Sequence, residues 1–437
     1  MLKDTFCSSP WFHLRINHAG YYLPCRWGPA SQPSDHHISN TSLTEYMNSD
    51  IMKSIRLDLL SGKSVDICNA CYYEDRHDKV SGRQRQLLKS AVSVINFDKT
   101  MSASPHWDMF TFTNEHQGQT TQTPVDLQID IGNTCNSACI MCNPPSSSRL
   151  AVDYEKLINI EPKLFKQYEK FKNWSDDENL IEKFVNELAE IPNIRYIHFL
   201  GGETLYLKSF YIICNRLIER GLSKNISIGT TTNATVYTPE LEHVIKNFKH
   251  VHLGISIETV TPLNDYIRWP SEIDQVLANI DKFIELKKQA DLQLSLRITP
   301  NIFSIYHIDS MFEYMIKNKI IAESCNILYN PSCLRMELLS DSLREQIQIK
   351  IQQIIDKFNI KETDQIINRR REDLIDPVIA SVITEYKRFI DTYQVPKDVE
   401  QERYDLVKFV KAFETLRNNS ILTYLPEYEE FLRTYGY

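Results

Sequence analysis

The residues of this sequence best suited to do chemistry are three closely spaced cysteines, Cys135, Cys139 and Cys142. They follow directly after the predicted strand Val125–Ile131, in a C-x-x-x-C-x-x-C arrangement. Three thiolates at this spacing can bind three irons of one [4Fe–4S] cubane and leave the fourth iron open to an exogenous ligand. The alternatives are a zinc site, which needs a fourth Cys or His that is not in view, and a group of reduced structural cysteines.

A second group of cysteines lies near the N-terminus. Its members are Cys7, Cys25, Cys68 and Cys71, the last two in a C-x-x-C pair. Four thiolates can complete a cluster, and their chemistry also suits a structural zinc ribbon. Clustered cysteines in a chain without an export signal more often bind metal than form disulfides, so we expect metal at both groups. The remaining cysteines are predicted to be core residues: Cys214, Cys325 and Cys333.

Composition and charge narrow the classes of protein that remain. The chain has 437 residues, of which 42% are hydrophobic and 24% charged, as is typical of a globular protein with two or three domains. Its formal net charge of −8 offers no electrostatic footprint for general nucleic-acid binding. No apolar run is long enough to span a membrane, and the N-terminus lacks a signal-peptide pattern. We therefore expect a cytoplasmic protein.

Strand and helix patterns alternate after about residue 124, which is typical of an α/β protein with a parallel sheet. The six predicted strands are Val125–Ile131, Ile194–Leu200, Ile226–Thr231, His250–Ile257, Gln293–Thr299 and Cys325–Tyr329. The predicted helices between them are Ser175–Ile191, Leu207–Arg220, Pro239–Phe248, Glu272–Lys288 and Ile308–Lys317. Six βα units predict a sheet that curls into a partial (β/α)6 TIM-type barrel, with its chemistry at the carboxyl ends of the strands.

The chain divides into four predicted parts. They are a cysteine-rich module at 1–90, an irregular polar linker at 91–123, the partial barrel at 124–337 and a helical C-terminal extension at 338–437. The module contains a predicted hairpin that turns at residues 18–20, where the sequence is His-Ala-Gly. The segment with Ser81, Arg83 and Arg85 is a candidate anchor between module and barrel, and a solvated basic turn is the alternative.

Together with a second motif, the cysteine triplet resembles the cluster loop of the radical SAM superfamily. The second motif is HFLGGE, in which Gly201, Gly202 and Glu203 end a predicted strand as the superfamily's Gly-Gly-Glu motif does. Alone, this motif is a turn with a surface acid. The resemblance implies a [4Fe–4S] cluster at the triplet, an open iron that chelates the methionyl group of S-adenosylmethionine, and a cofactor amino group bound at Gly-Gly-Glu. It also implies a barrel of radical SAM type.

Two later strand ends are similar to further segments of the superfamily. In TTTNAT, Thr231 and Asn233 are implied contacts of the cofactor ribose. The segment GISIETVTPLNDYIRW is similar to a Ser-Ile-Asp strand end followed by Tyr-Ile-Arg, which places Ser256, Glu258 and Arg268 near the cofactor. Glu258 stands where Asp is usual, so its carboxylate reaches further. Arg268 is implied to pair with the methionyl carboxylate, and a surface arginine is the alternative.

The N-terminal cysteines resemble the auxiliary-cluster modules called SPASM and twitch domains. Four cysteines fit the shorter twitch type, which holds one cluster, so the resemblance favours a second [4Fe–4S] cluster over zinc. Such a module usually follows the barrel, whereas this segment precedes it. The route from auxiliary cluster to active site therefore cannot be transferred from the usual arrangement.

The resemblance implies an oxidoreductase or maturase. One electron from a reductant such as flavodoxin or ferredoxin reduces the cluster, and S-adenosylmethionine is cleaved to methionine and a 5′-deoxyadenosyl radical that abstracts hydrogen from substrate. The first implied substrate is a peptide or protein side chain. The second is a small metabolite, a sugar or an amino alcohol, that is dehydrogenated. A non-enzymatic metal-binding interaction protein is the third possibility.

Overall fold

A computed structural model of the protein describes residues 5–26, 35–76, 81–84, 86, 107–168, 170, 172–325, 327–363 and 375–437. Its centre is an eight-stranded sheet. The strands are β1 (His13–Ile16), β2 (Tyr22–Leu23), β3 (Asp126–Asp130), β4 (Tyr196–Leu200), β5 (Ser227–Thr232), β6 (His250–Ser256), β7 (Leu292–Ile298) and β8 (Ile321–Cys325). Their order is β2-β1-β3-β4-β5-β6-β7-β8, and only the β1–β2 pair is antiparallel among these strands. The α/β class with a mostly parallel sheet is thus confirmed, and closure into a partial barrel stays a prediction.

Helices connect and flank these strands. Those before β4 are α1 (Ser9–Phe12), α2 (Leu43–Met47), α3 (Asp50–Ser61), α4 (Asn69–Arg76), α5 (Trp107–Glu115), α6 (Ser148–Ile160) and α7 (Glu178–Glu190). Those between β4 and β8 are α8 (Lys208–Glu219), α9 (Pro239–Asn247), α10 (Leu263–Ile267), α11 (Ile273–Leu286) and α12 (Ile308–Asn318). The C-terminal extension holds α13 (Asp341–Lys357), α14 (Ile375–Thr392), α15 (Val399–Arg417) and α16 (Glu429–Thr434). No helix in the described ranges is long and apolar enough to cross a membrane.

The N-terminal hairpin belongs to the central sheet, which the sequence analysis did not foresee. The predicted hairpin forms, with Gly20 in its turn at a φ of +93°. Its first strand, β1, pairs in parallel with β3, so that His13 lies opposite Asp126. The sheet therefore has eight strands rather than the six predicted, because β1 and β2 extend it beyond β3.

The predicted strands agree with β3 to β7 to within two residues at each end. The last predicted strand, Cys325–Tyr329, differs: β8 is Ile321–Cys325 and overlaps it only at Cys325. The apolar run that suggested a strand lies beyond the segment that pairs with β7. Pairing with a neighbouring strand, which a single sequence does not reveal, determines which residues form the edge strand.

Part of the predicted linker is structured. Residues 107–115 form α5, and its Met109 and Phe110 are buried in a small core with Phe6 and Trp11. The Trp11 Nε1 donates to Thr113 Oγ1 at 3.0 Å. The helix was not predicted, because the residues around it are polar and it has only a few apolar contacts. The division of the chain into domains stays a prediction.

Alternation along the strands gives the sheet one apolar and one polar face. Leu127, Ile129 and the residues in register with them belong to the main core. On the other face Gln128, His198 and His252 share one register row, and all three are buried. A buried polar face is unusual for a parallel sheet, whose strands are ordinarily apolar on both faces.

Candidate functional site

The loop after β3 carries the cysteine triplet to the carboxyl edge of the sheet. Gly132 lies two residues past the end of β3, and its φ of +123° favours glycine. The Asn173 side chain lies 3.0 Å from the position of a Cβ at residue 132 and accepts a 3.1 Å hydrogen bond from the Asn133 amide. Glycine therefore lets the chain leave the strand at this point while Asn173 holds the start of the loop.

The segment after β6 braces the part of the loop around Cys139. The Ala138 amide donates to the Trp269 carbonyl at 2.6 Å, and the Ile140 amide donates to the Ile267 carbonyl at 2.9 Å. Cys139 lies between these two anchored amides. Its position is therefore determined by a connection more than a hundred residues later in the chain.

The Gly-Gly-Glu motif contacts the cysteine loop through its backbone. The Gly202 amide donates to the Gly132 carbonyl at 3.0 Å, and the Glu203 amide donates to the Thr134 carbonyl at 3.0 Å. A Cβ on Gly202 would lie 2.4 Å from the Asn133 carbonyl oxygen. Any side chain at this position would push the loop away. One role of the second glycine is thus to allow close approach of the two strand ends. Gly201 is less constrained, since a Cβ there would meet the flexible end of a leucine side chain.

The Glu203 carboxylate is buried, with 2% of the residue exposed. It accepts hydrogen bonds from Thr232 Oγ1 and the Asn233 amide, both at 2.6 Å, and from the Leu205 amide at 3.1 Å. Burial raises its pKa, and these three donors oppose that shift. An ionised carboxylate has about four acceptor positions, so capacity for one further donor remains.

The end of β5 supports the loop from a second side. Asn233 Nδ2 donates to Asn136 Oδ1 at 2.9 Å and to Ser137 Oγ at 3.0 Å. Asn233 is therefore brought to the site, where it holds the loop. Thr231, the other predicted ribose contact, is half-buried and lies opposite Gly254 of β6.

The predicted residues at the end of β6 also reach this edge. Arg268 Nη2 forms an ion pair with Glu258, and Arg268 Nη1 lies 3.8 Å from Cys139 Sγ. Glu258 also accepts from the Thr299 amide at 2.7 Å. Burial lowers the pKa of Arg268, but the Glu258 carboxylate and Cys139 raise it more, which keeps the guanidinium charged. Ser256 is half-buried and lies opposite Arg297 of β7.

The three thiols of the triplet are a donor set that suits a [4Fe–4S] cubane with one open iron. Nowhere in the described ranges do three Cys, His, Asp or Glu side chains gather closely enough to hold one ion. A cubane places each thiolate on a different iron, so its ligands lie further apart than the ligands of one zinc. Burial raises the pKa of Cys135 and of Cys142 to about 12, so bound metal would have to displace both protons. Arg268 Nε is buried without a partner among the described residues and is a free donor beside the loop.

The four N-terminal cysteines also come together. Burial, together with the nearby Cys25 and Cys71, raises the pKa of Cys68 to about 12. Burial likewise raises the pKa of Cys7 to about 12, with contributions from Cys25 and Cys68. Such mutual effects require short distances between the thiols. The structure thus gathers residues from before β1, after β2 and the start of α4.

This second group lies at the edge of the sheet opposite to the triplet. Cys7 precedes β1 and Cys135 follows β3, and these two strands are parallel neighbours. Cys7 and Cys68 pack in the same small core as Val125, the residue before β3. We call the two groups the carboxyl-edge site (Cys135, Cys139, Cys142) and the amino-edge site (Cys7, Cys25, Cys68, Cys71).

Arg83 of the predicted anchor segment contacts residues close to the N-terminal cysteines. Arg83 Nη1 donates to the Phe6 carbonyl at 3.0 Å, and Arg83 Nε donates to Asp75 Oδ2 at 2.9 Å. Both partners flank cysteines of the amino-edge site, because Phe6 precedes Cys7 and Asp75 belongs to α4. Arg85 lies outside the described residues.

The polar face of the sheet was not predicted, although the strands carry a signal for it. β3 reads DLQID and β4 reads YIHFL, which alternate instead of running apolar. Mid-strand glycines make room on this face, since a Cβ on Gly229 would lie 2.0 Å from the Tyr196 hydroxyl and one on Gly254 would lie 2.1 Å from Arg297 Nε. Arg417, at the end of α15, was not predicted either. It contacts the cysteine loop and has no motif around it.

Comparison with known proteins gives one match to a protein family. Residues 129–296 match the Radical SAM superfamily. No curated protein matches the chain. Among solved structures, Streptococcus suis SuiB bound to S-adenosylmethionine is 13% identical, with 82% of this chain and 71% of that chain covered and a TM-score of 0.36.

Two further solved structures are equally distant. SuiB from the same organism bound to the precursor peptide SuiA is 14% identical over 81% of this chain and 70% of that chain, with a TM-score of 0.37. Native anSMEcpe with bound AdoMet is 15% identical over 54% and 61%, with a TM-score of 0.36. Nothing about a substrate follows from likenesses at this distance. The family match covers the sheet from within β3 into β7, and it includes the triplet, Gly-Gly-Glu and Arg268.

Proposed function

We propose that the chain is a radical SAM enzyme whose carboxyl-edge site holds a [4Fe–4S] cluster and S-adenosylmethionine, and which abstracts hydrogen from a peptide or protein side chain. One observation carries the proposal. Within the described residues, the three cysteines meet a buried carboxylate, Glu203, and a largely buried guanidinium, Arg268, at the carboxyl edge of a parallel sheet. This edge is where enzymes of this architecture place their chemistry.

Bound there, the cluster and S-adenosylmethionine would supply one-electron reductive cleavage to methionine and a 5′-deoxyadenosyl radical. The chain's own residues position and shield these groups. Gly202 and the braced amides around Cys139 fix the loop. A flavodoxin or ferredoxin is the proposed electron donor, and the cytoplasm is the proposed location.

Charged and polar groups of the carboxyl-edge site match the parts of S-adenosylmethionine. The remaining acceptor position of Glu203, beside Gly201 and Gly202, suits the ammonium group of the methionyl moiety. The unpartnered Nε of Arg268 suits its carboxylate, with Glu258 orienting the guanidinium. Thr231, Asn233 and Ser256 line the neighbouring strand ends and are the proposed partners of the ribose.

The amino-edge site is proposed to hold a second [4Fe–4S] cluster. Four thiols are available there, and the described residues contain no group of three ligands close enough for one zinc ion. Cubane geometry needs the wider spacing. Two of the four are close in sequence, since Cys68 lies just before α4 and Cys71 lies in its first turn.

A second candidate function, dehydrogenation of a small polar metabolite, is favoured by the polar face of the sheet. Arg15 and Asp130 are ion-paired there, and His252 Nε2 lies 2.9 Å from Ser295 Oγ. Buried donors and acceptors of this kind suit hydroxyl and amino groups as well as they suit a peptide side chain. Deuterium transfer from labelled peptides or labelled amino alcohols into 5′-deoxyadenosine distinguishes the two substrate classes.

The proposed function is tested by anaerobic iron and sulfide analysis, EPR spectroscopy and an assay for 5′-deoxyadenosine. The wild type is compared with a Cys135→Ala, Cys139→Ala, Cys142→Ala variant, and a Cys214→Ala, Cys333→Ala variant serves as the matched control because both cysteines are buried outside the two sites. We expect about eight irons in the wild type and control and about four in the triple variant, which should form no 5′-deoxyadenosine.

Other outcomes decide between the alternatives. About four irons and one zinc in the wild type, with cleavage intact, would retain the enzyme and replace the second cluster by zinc. A wild type that binds metal but never forms 5′-deoxyadenosine after reduction would leave the non-enzymatic interaction protein.

A further inference from the structure

The end of α15 reaches the cysteine loop from the C-terminal extension. Arg417 is the last residue of this helix, and only 5% of its side chain is exposed. Its Nη2 donates to the Ala138 carbonyl at 2.6 Å and to Asp153 Oδ2 at 2.9 Å. Ala138 is the neighbour of Cys139, and Asp153 lies on α6, which follows the loop. One guanidinium thus joins the helical extension to the middle of the cluster loop and to the helix that follows the loop.

The same guanidinium is only partly satisfied. Its Nε and Nη1 are buried and have no hydrogen-bond partner in the part of the chain that the structure describes. The ring of Phe413 covers it at 4.4 Å from the centroid, and Trp269 lies on another side at 6.0 Å. Buried N–H groups without partners cost free energy, so a positive charge kept here needs a reason.

Two guanidinium groups lie near Cys139. Arg268 Nη1 is 3.8 Å from its Sγ, and Arg417 Nη2 donates to the carbonyl of the preceding residue, Ala138. Arg268 has its own buried counter-charge in Glu258. The counter-charge of Arg417 is Asp153, whose side chain is 18% exposed and so more screened by water. Arg417 therefore contributes positive charge to the loop that its partner neutralises incompletely.

We propose that Arg417 is a positioning residue that stabilises the reduced form of the carboxyl-edge cluster, which makes the C-terminal extension part of the redox site. This inference rests on the proposed function, because it assumes a cluster at Cys139. Reduction adds one electron to the cluster, and a buried positive charge nearby favours the added negative charge. The residue acts through the field at the cluster and through its bond to Ala138.

The test is a potentiometric EPR titration of the carboxyl-edge cluster with one-electron mediators, on the full-length protein. Arg417→Gln removes the positive charge and should lower the ratio of reduced to oxidised cluster at a fixed potential by about threefold to tenfold, where tenfold corresponds to about 59 mV. Asp153→Asn removes the counter-charge and leaves the guanidinium, so it should shift the same ratio in the opposite direction.

The opposite signs separate an electrostatic role from a merely structural one. Both substitutions break the same ion pair, so a structural role would move both potentials in one direction or neither. Such a result overturns the proposal. Arg417→Lys, which keeps the charge, should remain close to the wild type. If Arg417→Gln fails to retain its irons, the upward shift in Asp153→Asn still has to appear.

The Lys408→Gln variant and the wild type serve as controls. Lys408→Gln removes a positive charge from the same helix at a side chain that is 45% exposed, and its potential should not change. A wild type without a cluster at the triplet would contradict the proposed function itself. A wild type with an EPR-active cluster and unshifted variants would contradict this inference alone.

Discussion

The two cysteine sites of this chain occupy opposite edges of one sheet and differ in how they are built. The carboxyl-edge site takes three cysteines from one loop and surrounds them with buried charges, among them Glu203 and Arg268. The amino-edge site collects four cysteines from three segments and packs them beside an aromatic cluster of Phe6, Trp11 and Phe110. In that cluster the rings of Phe6 and Phe110 meet edge to face, 5.3 Å apart.

This difference indicates that the carboxyl-edge site must receive a further ligand and that the amino-edge site need not. Buried charges are expensive unless they are paired, so their presence around three thiols is consistent with a charged cofactor that completes the site. Four thiols can satisfy a cluster without any further ligand, and the nearby Arg83 and Arg56 already have hydrogen-bond partners within the chain. The comparison favours chemistry at the carboxyl edge and a closed metal centre at the amino edge.

The largest expected effect is the loss of one cysteine from either site. Cys139→Ala should abolish formation of 5′-deoxyadenosine, a loss well beyond the roughly 100-fold typical for an outer partner of a metal ligand. Cys68→Ala should lower the iron content by about four and leave cleavage of S-adenosylmethionine measurable. Iron analysis and the 5′-deoxyadenosine assay check both variants. Equal loss of cleavage in the two variants would contradict the distinction between the sites.

A glycine substitution perturbs the carboxyl-edge site without removing a cysteine. A Cβ in Gly202→Ala would lie 2.4 Å from the Asn133 carbonyl oxygen, which cannot move without displacing the cluster loop. We expect loss of about four irons and destabilisation by about 1–3 kcal/mol, the usual cost of overpacking. Gly201→Ala meets the flexible end of Leu207 and should cost less. Chemical denaturation and iron analysis compare the two variants. A greater loss of stability or iron in Gly201→Ala than in Gly202→Ala would contradict this prediction.

The amino-edge site can be perturbed through Arg56, which is fully buried and lies 5.9 Å from the ring of Trp11 in the adjoining aromatic cluster. Its guanidinium donates to the carbonyls of Pro10, Met47 and Gly118 at 2.5 to 3.0 Å. Arg56→Leu leaves these carbonyls without a donor, at about 1–3 kcal/mol for each buried group. We expect lower stability in urea and loss of the amino-edge irons.

The carboxyl-edge EPR signal of Arg56→Leu provides the internal comparison, because it should persist. Lys63→Gln, at an exposed position just beyond α3, is the matched control and should behave as the wild type. Loss of both clusters in Arg56→Leu together would show that the two edges do not unfold independently.

The smallest expected effect is a pH dependence of the metal-free protein. Burial raises the pKa of Cys68 from 9.0 to about 12, so the stability that comes from keeping its proton is complete below pH 9 and is lost as the pH rises to 12. In Cys68→Ala the free energy of unfolding should fall less steeply with pH over this range, by a slope that corresponds to up to about one proton. Cys139→Ala should change the slope less, because Arg268 and Arg417 oppose the upward shift of its pKa. Urea unfolding at several pH values measures both slopes, and equal slopes would remove this distinction.

Local patterns were sufficient for much of the fold. β3 to β7 were predicted to within two residues because apolar strands bounded by turn residues carry their own signal. Gly202 and Glu203 were assigned to a strand end from one short motif, and the structure places them against the cysteine loop. The edge strand β8 was predicted at the wrong position and α5 was not predicted, because both depend on contacts with distant residues.

Residue types and spacing by themselves determined that this chain has a three-cysteine loop and a four-cysteine group, because thiol chemistry depends on ligands that are close in sequence or share one module. Only the tertiary structure decided that the two groups lie at opposite edges of the sheet, since that follows from the parallel pairing of β1 with β3. The tertiary structure alone also brings Arg417 to Ala138, which lies 279 positions earlier in the sequence. Long-range packing joins segments whose local sequences contain no information about each other, and the electrostatics of the site follow from that packing.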